Sequence, residues 1–116
     1  MMIIAASLLF AAMSEGPPPY PQSLNCAALT RAWSQLEEAA GSAGAAQAED
    51  DAGFWAFALM DAARRDGMTP RGAEADYARE TLEARKRFDQ RDANASRELL
   101  DCQLMIPTRK SEATTG

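Results

Sequence analysis

Between residues 23 and 106, apolar side chains recur at spacings of three and four, and the sequence shows no sustained strand-like alternation there. This spacing places apolar side chains on one face of a helix, so the pattern predicts an all-α fold. The first helix is predicted from residue 25 to residue 40, with Ser23 or Asn25 as its N-cap. Its inner face is expected to start at Cys26.

The order of charges marks the ends of a second helix. Acidic residues occupy positions 49–51, and Arg64 and Arg65 follow about four turns later. The helix dipole favours negative side chains in the first turn and positive side chains in the last one. Gly67 then stops the helix. The sequence therefore predicts a second helix from residue 50 or 51 to residue 66.

The pair Thr69-Pro70 marks the start of a third helix, with Thr69 as N-cap and Pro70 at the first helical position. The residues expected on its inner face are Ala75, Ala78, Leu82 and either Arg85 or Phe88, with Tyr77 and Thr81 beside them. A fourth helix is expected to carry an inner stripe of Ala95, Leu99, Cys102 and Ile106, with Leu100 beside it. Pro107 prevents its continuation.

Two cysteines, Cys26 and Cys102, stand near the two ends of the helical region and are expected to form a disulfide. An unbroken helix from residue 70 to residue 106 would be about 55 Å long. A three-helix array of that kind separates the cysteines far beyond the ~4.4–6.8 Å between Cα atoms that a disulfide allows. The disulfide therefore favours a small four-helix antiparallel bundle over the three-helix alternative. Its last helix is then expected to begin at an N-cap formed by Asp92 or Asn94.

The two ends of the chain are expected to lie outside the helical domain, which is predicted over residues 23–106. Residues 1–14 are predicted to be a signal peptide, because the first thirteen residues are almost wholly apolar but too few to span a bilayer. The alternative is an apolar N-terminal helix that packs on the domain or on a membrane. Residues 15–22 are predicted to form an extended Pro-rich leader, and residues 107–116 a disordered polar tail. Together with the disulfide, the signal peptide predicts a periplasmic or secreted protein.

Three aromatic residues, Phe54, Trp55 and Phe57, lie close together in the second predicted helix. At 100° per residue they cover about 160° of the helix surface, which is wider than a surface helix needs. Either all three pack in the core, or one of them, most plausibly Trp55 or Phe57, stays partly exposed as an anchor for a partner's pocket. These three are the candidate partner-binding residues.

Composition argues against several classes of function. The formal net charge is −5 and the basic residues form no long run, which disfavours nucleic acid and anionic membranes as partners. The sequence has no His, the commonest metal ligand and the usual proton shuttle near neutral pH. We therefore expect no metal site and no cofactor. Both cysteines are expected to be oxidised and no Ser has a candidate base nearby, so we expect no enzyme.

The layout is similar to that of the periplasmic acid-stress chaperones: a signal peptide, a short all-helical domain, two joined cysteines at distant positions and a Trp in the first part. The resemblance implies binding of unfolded clients after acid has loosened the fold. The residues themselves predict a non-catalytic helical protein that binds another protein as an inhibitor, adaptor or chaperone-like module. The alternative is a carrier of a small apolar ligand within the bundle, and the oligomeric state stays open.

Overall fold

A computed structural model describes residues 16–107 of the chain. The predicted signal peptide and residues 108–116 of the predicted tail lie outside the described residues. The described part consists of four helices in sequence: α1 (Tyr20–Ala39), α2 (Ala45–Arg65), α3 (Pro70–Asp89) and α4 (Ala93–Leu104). The predicted all-α, four-helix fold is confirmed, and the three-helix alternative is excluded.

Helix α1 begins five residues earlier than predicted, within the segment interpreted as an extended leader. Its N-cap is Pro19, not Ser23 or Asn25, and the first backbone bond runs from the Ser23 N–H to the Pro19 carbonyl at 2.9 Å. Pro21 then stands in the first turn. The N–H groups of a first turn have no partner within the helix, so a proline there removes no hydrogen bond.

Helix α2 also begins earlier than predicted, at Ala45 instead of residue 50 or 51. Its N-cap is Gly44, which has no side chain to mark the helix start in the sequence. The alanines that follow are the strongest helix formers, so the first turn needs no capping side chain. The acidic residues 49–51 therefore lie in the second turn. The other end is as predicted, since Arg64 and Arg65 occupy the last turn and Gly67 follows with φ +75°.

The start of α3 and the break before α4 are confirmed. The Thr69 hydroxyl oxygen accepts from the Gly72 N–H at 3.0 Å. The break is closed by a turn at Arg91, whose φ is 58°. Asp92 is the N-cap of α4, and its carboxylate accepts from the Asn94 N–H at 2.8 Å. The Asp92 cap and the turn at Arg91 therefore end one helix and start the next, at the place where the disulfide requires the chain to reverse direction.

Contacts between side chains define the direction of each helix. Along α1 and α3 residue numbers rise together, from the Tyr20–Asp76 hydrogen bond to the one that joins Gln35 and Arg85. Along α1 and α4 they run in opposite directions, as the Gln22–Met105 hydrogen bond and the disulfide near it show. The result is an up-down-up-down bundle in which α1 contacts each of the other three helices.

The core lies around α1 and consists mainly of small side chains. Its largest fully buried apolar side chains are Trp55, Leu29 and Leu59, and most of the remaining core positions are alanines. Small side chains let helix backbones approach closely. The inner stripe predicted for α4 is confirmed, because Ala95, Leu99, Cys102 and Ile106 are all buried.

The inner face predicted for α3 is wrong. The buried residues of this helix are Ala73, Thr81 and Ala84, with Tyr77 and Phe88 half-buried beside them. Three residues of the predicted stripe instead face solvent, since Leu82 is 65% exposed and Ala75 and Ala78 are also exposed. The last predicted position was Arg85 or Phe88, and Phe88 does pack against the core. The exposed residues and the buried ones both recur at helical spacing. The face that packs on α1 is the one that carries Tyr77 and Phe88.

Candidate protein-binding surface

The disulfide between Cys26 and Cys102 joins the first and last helices at one end of the bundle. The two Cα atoms lie 5.5 Å apart, and both side chains are buried. The predicted bridge is therefore confirmed. A disulfide of this kind is compatible with an oxidising compartment.

Trp55 lies against this end of the bundle and belongs to the core. Its side chain is 1% exposed, and its Nε1–H donates to the carbonyl oxygen of Cys102 at 3.0 Å. A buried indole usually finds such a partner for its single donor. Trp55 is therefore removed from the candidate partner-binding residues, because no partner reaches it without displacing α4.

Phe57 and Phe54 face outward, as the exposed-anchor interpretation expects. Phe57 is 79% exposed near the middle of α2, and Phe54, one turn earlier, is 37% exposed. The Phe54 ring packs edge-on against Trp55, with ring centroids 5.3 Å apart. Phe54 is thus held from behind by the core, whereas Phe57 projects into solvent.

Two leucines of α4 lie close in sequence to its contacts with α2. Helix α4 runs beside the Asp51–Trp55 part of α2, since Gln103 donates to Asp51 at 3.4 Å and Trp55 to Cys102. Leu100 and Leu104 lie within one turn of this contact and are about half exposed. Phe54, Phe57, Leu100 and Leu104 together are named the α2–α4 surface. Leu100 was expected beside the inner stripe, and Leu104 was missed because a hydrophobic residue beside a buried stripe gives no sign of exposure.

An ion cluster joins α4 to α1 and α3 on the opposite side. The Arg87 guanidinium donates to Asp92 at 3.0 Å and to Glu98 at 3.0 and 3.3 Å, and Asn25 donates to Glu98 at 3.2 Å. Hydrogen bonds from Arg87, then from Asn25, lower the pKa of Glu98. Arg87 likewise lowers the pKa of Asp92, with a further contribution from the Asn94 N–H. These contacts stabilise α4; none of them faces the α2–α4 surface.

A second polar contact fastens the start of α1 to α3. The Tyr20 hydroxyl donates to Asp76 at 2.7 Å, and Arg79 donates to the same carboxylate at 3.1 Å. Burial first, and then the hydrogen bond to Asp76, raise the pKa of Tyr20 to about 12. The hydrogen bond from Tyr20 lowers the pKa of Asp76. The contact explains why the helix extends back to Tyr20.

Among residues 16–107, no group of acidic or cysteine side chains is arranged to hold a metal ion, and no helix is long and apolar enough to cross a membrane. Comparison of the chain with protein-family models, with curated proteins and with solved structures found no match.

Proposed function

We propose that this chain is a small exported, non-catalytic protein that binds another protein through the α2–α4 surface. The observation that carries the proposal is the exposure of Phe57, at 79%, in the middle of a long helix. Aromatic side chains that fill a partner's pocket contribute much of the binding energy at protein interfaces. Phe54 lies one turn before Phe57 on α2, and Leu100 and Leu104 are exposed leucines of α4, the helix that α2 contacts through Trp55.

Gly53 supports this assignment independently. It lies in the interior of α2, one turn before Phe57, where glycine costs about 1 kcal/mol relative to alanine. No atom outside its immediate neighbourhood lies within 4 Å of the position of an added Cβ, so packing inside the molecule does not require a glycine. A glycine without an internal reason, beside an exposed phenylalanine, fits a site where a partner approaches the α2 backbone closely.

The scaffold behind the surface is rigid. Trp55 and Leu59 fix the opposite face of α2 in the core, and the disulfide joins α4 to α1. Binding groups on a preformed helix lose little conformational entropy when a partner docks. The proposed interface therefore consists of a helix face, not of a segment that folds on binding.

The test begins with a photo-crosslinking amino acid at position 57, with position 82 as the control. Leu82 is also an exposed apolar residue but lies on α3, away from the α2–α4 surface. The oxidised protein is expressed with its N-terminal segment, and adducts are recovered from the periplasmic or secreted fraction. We expect one defined adduct from position 57 and none from position 82. Intact mass of the recovered protein, with and without reductant, tests export, cleavage and the bridge.

The purified partner is then titrated against three variants. Phe57→Ala is expected to weaken binding by at least about 30-fold, the effect of removing an interface anchor worth about 2 kcal/mol. Gly53→Ala is expected to weaken binding while it stabilises the protein by about 0.5 to 1 kcal/mol. Leu82→Ala is expected to leave binding unchanged. Equal crosslinking from positions 57 and 82, or unchanged binding by Phe57→Ala, would contradict the proposal.

A further inference from the structure

A groove runs along the contact between α1 and α3, on a different side of the bundle from the α2–α4 surface. Its volume is about 420 Å³, and its lining is mainly apolar. Its walls include Arg31 and Gln35 of α1 and Tyr77, Ala78 and Leu82 of α3. Leu82 is exposed and lines this groove.

Arg31 lines the groove and forms no ion pair among residues 16–107, although the Glu74 carboxylate lines the same groove. Three arginines among residues 16–107 are half-buried: Arg31, Arg85 and Arg87. Arg87 has two carboxylate partners, whereas neither Arg31 nor Arg85 forms an ion pair with any residue of that part of the chain. Partial burial of an unpaired charge is unfavourable, so an anion that reaches such a group is bound favourably.

The hydrogen-bond partners of the two arginines are neutral. Arg31 Nε donates to the Tyr77 hydroxyl oxygen at 3.1 Å, and Arg85 Nη1 donates to Gln35 Oε1 at 2.9 Å. The buried Nε of Arg85 has no acceptor within the described residues. The Tyr77 hydroxyl accepts a bond but has no described acceptor for its own hydrogen. An anion beside Arg31 can therefore accept from both the guanidinium and the Tyr77 hydroxyl.

The part of the groove beyond Tyr77 is apolar and favours a hydrocarbon group on the ligand. Ala78 and Leu82 follow Tyr77 along α3 and offer apolar surface for a hydrocarbon chain. Glu74 lines the groove one turn before Tyr77, so a second anionic group on that side would be repelled. The groove thus offers one anion position followed by an apolar path.

We propose that this groove binds a monomeric alkyl carboxylate, with its head between Arg31 and Tyr77 and its chain along Ala78 and Leu82. This ligand lies on the surface between two helices, not inside the bundle as the carrier alternative of the sequence requires. The proposal is independent of the protein-binding function, because the residues of the two surfaces do not overlap.

The test is isothermal titration of the oxidised protein with dodecanoate below its micelle concentration. Dodecanol and dodecyltrimethylammonium serve as neutral and cationic probes with the same chain. We expect dodecanoate to bind more tightly than both. Arg31→Gln is expected to weaken dodecanoate binding at least about tenfold, since it removes a hydrogen bond between two charged groups. Binding of dodecanol should be unchanged in this variant.

Two further variants keep the test decisive if Arg31→Gln is poorly folded. Tyr77→Phe retains the ring and is expected to weaken dodecanoate alone, and Leu82→Ala is expected to weaken both dodecanoate and dodecanol. Arg64→Gln changes an exposed arginine in the last turn of α2, outside both surfaces, and is the matched control for Arg31→Gln that should bind as wild type does. The proposal is overturned if dodecanoate produces no heat up to its solubility limit. Equal affinity for the anionic and cationic probes would also overturn it.

Discussion

Removal of the disulfide is the most informative perturbation of this fold. The double variant with Cys26→Ala and Cys102→Ala opens a loop with a sequence separation of 76 residues. In the chain-entropy treatment, closing a loop of this length stabilises the folded state by about 4.5 kcal/mol. Domains of this size unfold with about 5–13 kcal/mol in total. The double variant should therefore lose between about a third and nine tenths of the free energy of unfolding.

The loss should be concentrated in α4. This helix has 12 residues, and helices of that length are marginal in water without tertiary contacts. Without the bridge, Ala95, Leu99 and Ile106 hold it by apolar contact, together with the ions around Arg87. When α4 detaches, Trp55 loses the carbonyl that its indole donates to and becomes exposed to water.

The assay follows α4 and the whole fold separately. Trp33→Phe leaves Trp55 as the only tryptophan of the chain, so its emission reports exposure at α4. Guanidinium unfolding followed by circular dichroism gives the free energy of the whole domain. We expect a red shift of Trp55 emission in the double alanine variant before global unfolding. Reductant should produce the same red shift in the protein that has both cysteines. It should cause no further shift in the double variant, which has no disulfide to reduce.

Two results would show that the bridge and α4 do not behave in this way. If the double variant loses less than about 1 kcal/mol in free energy of unfolding, the bridge is not the main stabilising element of a domain this small. If Trp55 emission and global unfolding change together at every denaturant concentration, α4 is not a separate weak element. Either result would refute the account of α4 given above.

Three smaller perturbations test individual contacts. Thr69→Ala removes the cap of α3 and should lower the free energy of unfolding by about 1 kcal/mol, whereas Thr69→Ser should restore it, as measured by denaturant unfolding. Glu98→Gln should cost less than about 1 kcal/mol at neutral pH, because the carboxylate is more than a third exposed and screened by solvent. The lowered pKa of Glu98 adds stability above the unfolded value of 4.5, and this is lost as pH falls through the folded value, so wild type and variant should converge in acid unfolding curves. In Tyr77→Phe, absorbance of the remaining phenol should titrate at about pH 12, and the stability gained from the raised pKa of Tyr20 should disappear as pH rises from 10 through 12.

The topology could be predicted from the sequence because the disulfide imposes a parity condition. Cysteines at the two ends require an even number of antiparallel helices, and this predicted the break that Asp92 caps. No local signal was strong enough for that prediction, since nothing in residues 89–94 forbids a continuous helix. The disulfide, a contact between distant residues, therefore predicted the local break between α3 and α4.

The helix starts and the inner face of α3 could not be predicted, for two different physical reasons. The starts of α1 and α2 rest on a proline and a glycine without a capping bond, so no capping side chain marks them in the sequence. On α3, two stripes share helical spacing, and the choice between them depends on what α1 presents. Ring contact between Trp33 and Phe88, with centroids 5.6 Å apart, favours the face that also carries Tyr77 and Thr81, which were expected only beside the inner stripe.

The same reasoning applies to the surface aromatics. Phe54, Trp55 and Phe57 have similar hydrophobicity, and the sequence cannot tell which of them faces α4. The indole donor of Trp55 reaches a backbone carbonyl at the buried end of α4, a partner that phenylalanine cannot use. That hydrogen bond places Trp55 inward and leaves Phe57 outward.

The position of the bridge also determines how the molecule bears tension. A load applied through the chain segments that precede Cys26 and follow Cys102 passes directly across the sulfur–sulfur bond. Residues 27–101 lie within the loop that the disulfide closes, so they carry none of the applied force. The helical array is therefore mechanically shielded, and stretching the oxidised chain by its ends should extend only the short flanking segments.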